Sequence, residues 1–209
     1  MQFADREGRI VVEKLIETIQ ANKTYLSEVD GAIGDGDHGI NMAKGFGLTG
    51  ERLTAEMGFS EALKTLGRTL VMEIGGAMGP LYGSFFKAMA GKGQEQIDMN
   101  AFEQMLSGAL SAVTELGNAK VGDKTLVDTL TPAVEIFKTA QSEGLSFKEG
   151  LQKMVAAAEQ GKESTKELVA KVGRASHLGE RSKGVLDAGA TSCYLILESI
   201  ASSIAELLD

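Results

Sequence analysis

Residues 30–42 read Asp30-Gly-Ala-Ile-Gly-Asp35-Gly-Asp37-His38-Gly-Ile-Asn41-Met42, and helix-compatible sequence follows at once. Three carboxylates fall within eight residues of this stretch and are interleaved with glycines. Glycine allows turns with φ > 0, so alternate side chains can converge on one point, which a regular helix or strand forbids. Ligand sets made only of oxygen suit hard cations, and Mg²⁺ keeps positions open for water and phosphate. The stretch therefore predicts an inter-helix loop that holds a divalent metal at Asp30, Asp35 and Asp37.

Three other interpretations of this loop fit the residues less well. An EF-hand loop needs glycine at its sixth position and glutamate at its twelfth, but counting from Asp30 puts Asp35 and Asn41 there. The spacing Gly34-x-Gly36-x-x-Gly39 matches the dinucleotide fingerprint, but no strand-like run precedes it and the aspartates would repel an uncompensated pyrophosphate. An ordinary polar turn explains one aspartate better than three at this spacing.

Composition favours a single globular enzyme-sized domain over residues 1–209. The net charge of −8 argues against general nucleic-acid binding, which needs a basic surface. Cys193 is the single cysteine, so an internal disulfide is excluded and a packing role is expected. Charged residues interrupt the first apolar segment, and Glu198 stops the apolar run near the carboxyl end. We therefore expect a cytoplasmic protein with neither a secretory leader nor a membrane span.

Apolar residues recur at helical spacing along most of the chain. They predict eight helices: about Arg6 to Asn22, from His38, about Ser60 to Ile74, from Pro80, from Asp98 to a stop at Gly117, from Thr125, from Ser146, and about Asp187 to Leu208. The capping-box spacings Ser146/Glu149 and Ser164/Glu167 leave open one long seventh helix bent near Gly161 or two shorter helices. The sixth helix can contain Pro132 only if this residue lies in the first turn or kinks the helix. No alternating strand pattern is convincing.

The fold class predicted is all-α, with about eight antiparallel helices in an up-and-down arrangement. Short connections favour antiparallel neighbours, so every second loop lies at the same end. The loops before the second, fourth, sixth and eighth predicted helices would then share one end. These are the loops with unusual chemistry.

Two of these loops suggest phosphate contacts. Residues 75–80, Gly75-Gly-Ala-Met-Gly79-Pro80, place glycines ahead of a helix, where backbone amides and the positive dipole end can meet a phosphate. Close packing of two helices explains these glycines equally well. In residues 122–125, Lys124 is a candidate charge partner for phosphate, although a surface turn is the better interpretation of that loop alone.

Residues 173–184 form the basic loop, which contains Arg174, Arg181 and Lys183 among glycines. The planar guanidinium of Arg174 is suited to phosphate, with Arg181 and Lys183 as weaker candidates. A basic loop opposite an acidic metal loop is what a Mg²⁺-bridged nucleotide needs, because the metal alone does not balance a triphosphate. A solvated linker would explain the charges but not the glycines together with a helix cap at Asp187.

These loops, in this order, resemble the L subunit of bacterial dihydroxyacetone kinases, the nucleotide-binding domain called DhaL or Dak2. The segments DGAIGDGDHGINM, GGAMGPLYG, GDKTLVDTL and GRASHLGERSKG with DAGATS carry the resemblance over essentially the whole chain. The resemblance implies an antiparallel eight-helix barrel with the nucleotide at one end. It implies metal ligation by Asp30, Asp35 and Asp37, and nucleotide contacts from a larger set: His38, Gly39, Ile40, Asn41, Met78, Gly79, Gly117, Leu126, Arg174, Asp187, Ala188 and Gly189.

The resemblance further implies a phosphotransferase that uses ADP or ATP with two Mg²⁺ ions. In the phosphoenolpyruvate-dependent form, a phosphohistidine-bearing M subunit recharges bound ADP, and the phosphoryl group passes to dihydroxyacetone held on a K subunit. In the ATP-dependent form, free ATP is the donor. Two alternatives stay open: a kinase of the same fold with another acceptor, such as the amino-terminal domain of a fatty-acid kinase, or a nucleotide-loaded regulator that binds a transcription factor. A homodimer also stays open.

Three positions depart from the family pattern. Met78 stands where serine is usual, which removes a hydroxyl that could bond a phosphate. Ala188 stands where proline is usual, which loosens the turn near the nucleotide, and His177 replaces a common tyrosine. These changes leave the metal loop intact and bear on how tightly a nucleotide is held.

Overall fold

The chain is mainly helical in the computed structural model, which describes residues 1–91 and 93–208. These residues form nine α-helices, bounded as follows: α1 Arg9–Ala21, α2 Lys23–Gly31, α3 His38–Gly50, α4 Phe59–Glu73, α5 Met78–Met89, α6 Met99–Gly117, α7 Leu126–Ser142, α8 Phe147–Ser164 and α9 Ala188–Leu207. Three short 3₁₀ segments cover Asp5–Glu7, Thr165–Glu167 and Arg174–Ser182. The prediction of an all-α fold is confirmed.

Eight of the helices close into a ring. Contacts run from α1 to α3, then in sequence order through α4, α5, α6, α7 and α8 to α9, which packs back against α1. The ring matches the predicted eight helices, and α2 lies outside it against α3 and α9. Because each element packs on its neighbours in the chain, alternate loops come to one end of the barrel.

Apolar stripes of the ring helices fill the interior. Phe102 of α6, Phe137 of α7 and Phe147 of α8 form one aromatic cluster, with the Phe102 and Phe137 centroids 5.5 Å apart in an edge-to-face arrangement. On the other side, Phe46 of α3 meets Phe86 of α5 in the same way, at 5.8 Å. Edge-to-face aromatic pairs and close packing hold helices at fixed spacing, so the ring is a defined scaffold for its loops.

Four of the predicted helix caps are present. The Asp98 carboxylate accepts a hydrogen bond from the Ala101 amide at 2.8 Å, and that of Asp187 accepts one from the Ala190 amide at 2.7 Å. Capping boxes begin α7 at Thr125 and α8 at Ser146. Each cap satisfies amides that lack a partner in the first turn and is worth about 1 kcal/mol. The sequence therefore fixes where four of the helices begin.

Two elements were not predicted. Residues 23–31 form α2, although only Leu26 of this helix is buried, so it shows no apolar stripe to a periodicity argument. Gln2–Ala4 (β1) and Gln96–Asp98 (β2) form an antiparallel pair in which Phe3 lies opposite Ile97. Strands of three residues are too short for alternation to be visible in sequence. The expectation of no strand was therefore wrong.

The ambiguity in the seventh predicted helix is resolved in favour of one helix. Ser164 is the last residue of α8 and not the cap of a second helix. Gly161 lies inside α8, where a Cβ would collide with the Asp128 carbonyl oxygen of α7. In a regular helix, the amide of residue 132 would donate a hydrogen bond to this Asp128 carbonyl oxygen. Pro132 has no N–H, so this hydrogen bond is not made. Pro132 lies past the first turn of α7, and α5 begins at Met78, two residues before Pro80.

One helix among the described residues, α9, is long and apolar enough to cross a membrane by length and composition. In this fold 67% of its most apolar window is buried against the other helices. Cys193 lies on this helix and is 1% exposed, and burial raises the pKa of its thiol, in keeping with a packing role. The apolar character of α9 is accounted for by its place in the core.

Candidate functional site

A cavity of about 790 Å³ opens at one end of the barrel. It is lined by the segments that precede α3, α5, α7 and α9, together with the carboxyl end of α6. These are the four loops that the sequence predicted to share one end. The volume is in the range of pockets for small organic ligands.

The acidic loop places its three carboxylates together. One ligand oxygen from each of Asp30, Asp35 and Asp37 lies within 4.8 Å of the others. Asp30 lies in the last turn of α2 and is half-buried, whereas Asp35 and Asp37 are exposed. Asp37 occupies the position before α3 but makes no capping hydrogen bond, so its oxygens stay available. Instead the His38 amide donates to the Asp30 carboxylate at 3.3 Å.

Two glycines make this convergence sterically feasible. A Cβ at Gly34 would collide with the Asp30 carboxylate and lie 2.9 Å from the Asp30 carbonyl oxygen. A Cβ at Gly39 would collide with the Lys23 carbonyl oxygen of α2. Three like charges at this separation repel one another unless a cation lies between them. Carboxylate oxygens alone are the ligand set that Mg²⁺ prefers, so the residues present fit that ion.

The basic loop reaches the acidic loop through Arg174. Its Nη1 pairs with Oδ2 of Asp35, although 69% of the Arg174 side chain is exposed. Arg181 and Lys183 do not line the cavity, and Lys183 instead lies 4.0 Å from Glu167. Of the three candidate basic residues, Arg174 alone is brought to the metal loop within the part of the chain that the structure describes.

The start of α5 presents backbone groups to the cavity. Gly75, Gly76, Ala77 and Met78 line it, and no side chain caps the helix at Ala77. A Cβ at Gly75 or Gly76 would meet no atom within 4 Å, so these glycines face open space and not a neighbouring helix. The uncapped amides and the positive end of the helix dipole are suited to an anion. The two interpretations therefore apply to different glycines: Gly75 and Gly76 face open space, as an anion site needs, whereas a Cβ at Gly79 would collide with the Ile74 carbonyl oxygen, as close packing on α4 predicts.

Lys124 lines the cavity, but its amine is held by backbone groups. The residue is 1% exposed, and its backbone φ of 62° is unusual for a side chain other than glycine. Its Nζ donates to the carbonyl oxygen of Thr165 and, at 2.6 Å, to that of Val185. Burial lowers the pKa of the ammonium group, while Asp187 and Asp128 oppose that shift. These hydrogen bonds join the segment after α8 to the segment before α9, and a phosphate contact from Lys124 stays a prediction.

A buried polar cluster supports the floor of the site. His38 Nε2 lies 2.8 Å from Ser192 Oγ, and Tyr82 Oη lies 2.6 Å from the same oxygen. Burial lowers the pKa of His38 to about 4, against an opposing effect of Asp30. Burial also raises the pKa of Asp187 to about 6, although the Ala190 amide and Lys124 stabilise its charged form. The site therefore combines charged residues at its mouth with desolvated polar groups below.

The cavity also has an apolar wall that the sequence analysis did not find. Leu81 of α5, Val113 and Leu116 of α6, and Val172 all line it, beside the predicted Leu126. Leu81 and Val113 belong to apolar stripes that periodicity assigns to the core, so nothing in their pattern marks them as a site. Leu116, which is 52% exposed, and Val172, which lies outside the helices, stood in no predicted stripe.

The predicted site residues divide into two groups. Those that line the cavity are Asp30, Asp35, Asp37, His38, Asn41, Met78, Gly117, Leu126, Arg174, Asp187, Ala188 and Gly189. Gly39, Ile40 and Gly79 lie outside its lining: Gly39 and Gly79 are buried against neighbouring backbone, and Ile40 is 51% exposed. The nucleotide contacts of both groups stay predictions.

Known proteins are similar to this chain over most of its length. The DAK2 domain family model matches residues 32–202. The chain is 40% identical over 194 residues to the ADP-binding subunit DhaL of the PTS-dependent dihydroxyacetone kinase of Lactococcus lactis, covering 92% of this chain and 94% of that protein. It is 38% identical over 188 residues to the corresponding subunit of the PEP-dependent enzyme of Escherichia coli, covering 87% and 89%.

A solved structure has the same fold. The dihydroxyacetone kinase of C. freundii in complex with AMP-PNP and Mg²⁺ superposes with a TM-score of 0.70 at 25% identity, covering 97% of this chain. The chain corresponds to 35% of that longer protein. The family model spans most of the sequence, and the two bacterial subunits align over nearly their full lengths. The chain therefore belongs to the DAK2 domain family.

Proposed function

We propose that this protein is the nucleotide-binding subunit of a dihydroxyacetone kinase, a phosphotransferase with an alcohol group as acceptor. The observation that carries the proposal is the convergence of Asp30, Asp35 and Asp37 opposite Arg174 at the mouth of a cavity of about 790 Å³. The acidic cluster is suited to metal ions and the guanidinium to phosphate oxygens, so together they complement the charges of a metal-bound polyphosphate. Relatives over nearly full length carry the name of that subunit.

The three aspartates would hold Mg²⁺, and we propose two ions, as in the family. When bound, the metal neutralises charge on the phosphate oxygens and orients them for transfer. Arg174 would contribute a paired hydrogen bond to phosphate, and the uncapped amides at Met78 and Gly79 would meet a second oxygen. The apolar wall around Leu81 and Leu116 would take the base of the nucleotide.

We further propose how the subunit works with others. Bound ADP would accept a phosphoryl group from a phosphohistidine-bearing M subunit, and the resulting ATP would donate it to dihydroxyacetone on a K subunit. The description of the relatives as ADP-binding subunits supports this division of labour. We propose that residues 1–209 act as one domain, since the ring has one connected core, and that the protein acts in the cytoplasm. Contact with a transcriptional regulator is one outcome of the experiment below, and a homodimer stays a prediction.

The test is reconstitution of phosphoryl transfer. The purified protein is mixed with candidate K and M subunits, phosphoenolpyruvate and its carrier proteins, and labelled phosphate is followed into dihydroxyacetone phosphate. We expect transfer with the wild-type chain and none with Asp37→Asn, because loss of one formal charge weakens a hard-cation site directly. Glu61→Gln is the matched control, since it removes one charge at the start of α4, the end of that helix away from the cavity loops.

Three results would contradict the proposal. Transfer by Asp37→Asn at the wild-type rate would exclude the acidic loop as the metal site. Transfer with free ATP but not with the M subunit would favour the ATP-dependent kinase with its own acceptor. Retention of a DNA-binding protein on a column of the purified chain, without any transfer, would favour the nucleotide-loaded regulator.

A further inference from the structure

The cluster beneath the cavity contains polar groups that the proposed function does not use. Tyr82 of α5 is 2% exposed and Ser192 of α9 is fully buried. The Ser192 hydroxyl is within hydrogen-bond distance of both His38 Nε2 and Tyr82 Oη. His38 begins α3 and lines the cavity. The cluster therefore connects three ring helices at a side chain that faces the ligand space.

Proton counting restricts how the cluster can be arranged. The Ser192 hydroxyl has one hydrogen and two acceptor sites. Its oxygen lies 3.0 Å from the Ala188 carbonyl oxygen and 3.1 Å from that of Gly189, and carbonyl oxygens only accept. A helical serine usually donates to a carbonyl one turn earlier. With its hydrogen used there, Ser192 Oγ can only accept from Tyr82 Oη and from His38 Nε2.

We propose that Ser192, supported by Tyr82, is a positioning residue that keeps the hydrogen of His38 on Nε2. The Tyr82 hydroxyl has one hydrogen, which it donates either to Ser192 Oγ at 2.6 Å or to the Gly189 carbonyl oxygen at 3.0 Å. In the second case the serine hydrogen lies between Ser192 Oγ and Tyr82 Oη, so His38 Nε2 is again the donor to Ser192. Among the described residues, no hydrogen bond joins a protein group to His38 Nδ1. That nitrogen is then a bare acceptor, left for whatever enters the cavity.

The chemical consequence concerns what His38 recognises. A bare Nδ1 accepts a hydrogen bond and cannot donate one to a phosphate oxygen. His38 therefore meets a nucleotide through a donor of the ligand, such as a hydroxyl, and the phosphate contacts fall to Arg174 and the amides of α5. This inference rests on the proposed nucleotide site for its ligand, but the placement of the hydrogen is a property of the protein alone.

The test uses long-range ¹H–¹⁵N correlation spectra of the full chain without ligand, followed by calorimetric titration with Mg²⁺ and ADP. The chain has two histidines, and His177→Gln assigns the signals. We expect His38 to be protonated at Nε2 in the wild type. Ser192→Ala should release this preference toward a mixture of tautomers and weaken ADP binding by about 2- to 13-fold, the range for one hydrogen bond.

Ser203→Ala is the matched control, because Ser203 is a buried serine of the same helix that donates to the carbonyl one turn earlier, Ser199 O, at 2.7 Å. It should change neither the spectrum of His38 nor the affinity. A wild-type spectrum with the hydrogen on Nδ1 would overturn the inference, even if Ser192→Ala failed to fold. Unchanged tautomer and affinity in Ser192→Ala would overturn it as well. Failure of the wild type to bind ADP would instead refute the proposed function, since the tautomer is read without ligand.

Discussion

Replacing Arg174 with alanine should change metal binding and nucleotide binding in opposite directions. The guanidinium of Arg174 pairs with Asp35, one of the three carboxylates of the metal loop. Arg174 therefore competes with a divalent cation for that oxygen. Once a nucleotide is present, the same guanidinium is proposed to move its hydrogen bonds to phosphate. In Arg174→Ala, the metal no longer has a competitor for Asp35, whereas the nucleotide loses a contact to its phosphate.

The two magnitudes follow from exposure and charge. The Arg174 and Asp35 side chains are 69% and 41% exposed, so their pairing is worth only about 0.2–1 kcal/mol. Its loss should tighten binding of Mg²⁺ or Mn²⁺ alone by about 1.4- to 5-fold. A hydrogen bond between charged groups is worth about 1.5–3 kcal/mol, so affinity for ADP at saturating Mg²⁺ should fall by about 13- to 160-fold.

Two titrations of the same protein preparations measure both effects. Mn²⁺ binding is followed by electron paramagnetic resonance without nucleotide, and ADP binding by calorimetry at saturating Mg²⁺. Arg181→Ala is the control, because it removes an equal charge from the basic loop at a position that does not line the cavity. Weakening of both ligands by Arg174→Ala, or equal effects from Arg181→Ala, would refute the idea that Arg174 exchanges Asp35 for phosphate.

Three further predictions concern single residues around the cavity. Met78→Ser should increase the fraction of ADP retained after dialysis, because it adds a hydroxyl at the first residue of α5, whereas Met78→Ala should not. Gly39→Ala should weaken Mg²⁺-dependent ADP binding although it replaces none of the three aspartates, because its Cβ would collide with α2. Gly47→Ala is the control: its Cβ would meet only the movable end of Gln20, so it should be tolerated. Because burial raises the pKa of Asp187 from 3.8 to about 6, its contribution to stability is fully present below its unfolded pKa and is lost as pH rises through about 6. Urea unfolding across this range should show that loss in the wild type and not in Asp187→Asn, which can still cap α9.

Features that depend on a few neighbouring residues could be predicted from the sequence. Asp98 and Asp187 begin helices as expected, because a cap needs only a side chain and an amide three residues later. The order of the four loops around one cavity followed from short connections between antiparallel helices. Local patterns of this kind do not require knowledge of distant contacts.

Features that depend on distant contacts were missed. Lys124 looked like a surface charge, but carbonyl oxygens of Thr165 and Val185, 41 and 61 residues away, bury its amine. Leu81 and Val113 of the apolar wall looked like core, because periodicity cannot distinguish an apolar side chain that packs against another helix from one that faces a cavity. The link between His38 and Ser192 joins residues 154 positions apart. No local pattern specifies such pairings.

The helix that periodicity missed is the one that gives the metal loop its geometry. Asp30 lies at the end of α2 and Asp37 directly before α3, so the separation of their carboxylates depends on how these two helices meet. Their contact is backbone to backbone at Gly39, where a Cβ would also lie 2.7 Å from the Ser27 amide nitrogen. A backbone contact is stiffer than one through flexible side chains, so the acidic loop is held at both ends. The third glycine of the apparent dinucleotide fingerprint therefore has a purpose that the fingerprint does not describe: it lets α2 lie close enough on α3 for three aspartates to converge.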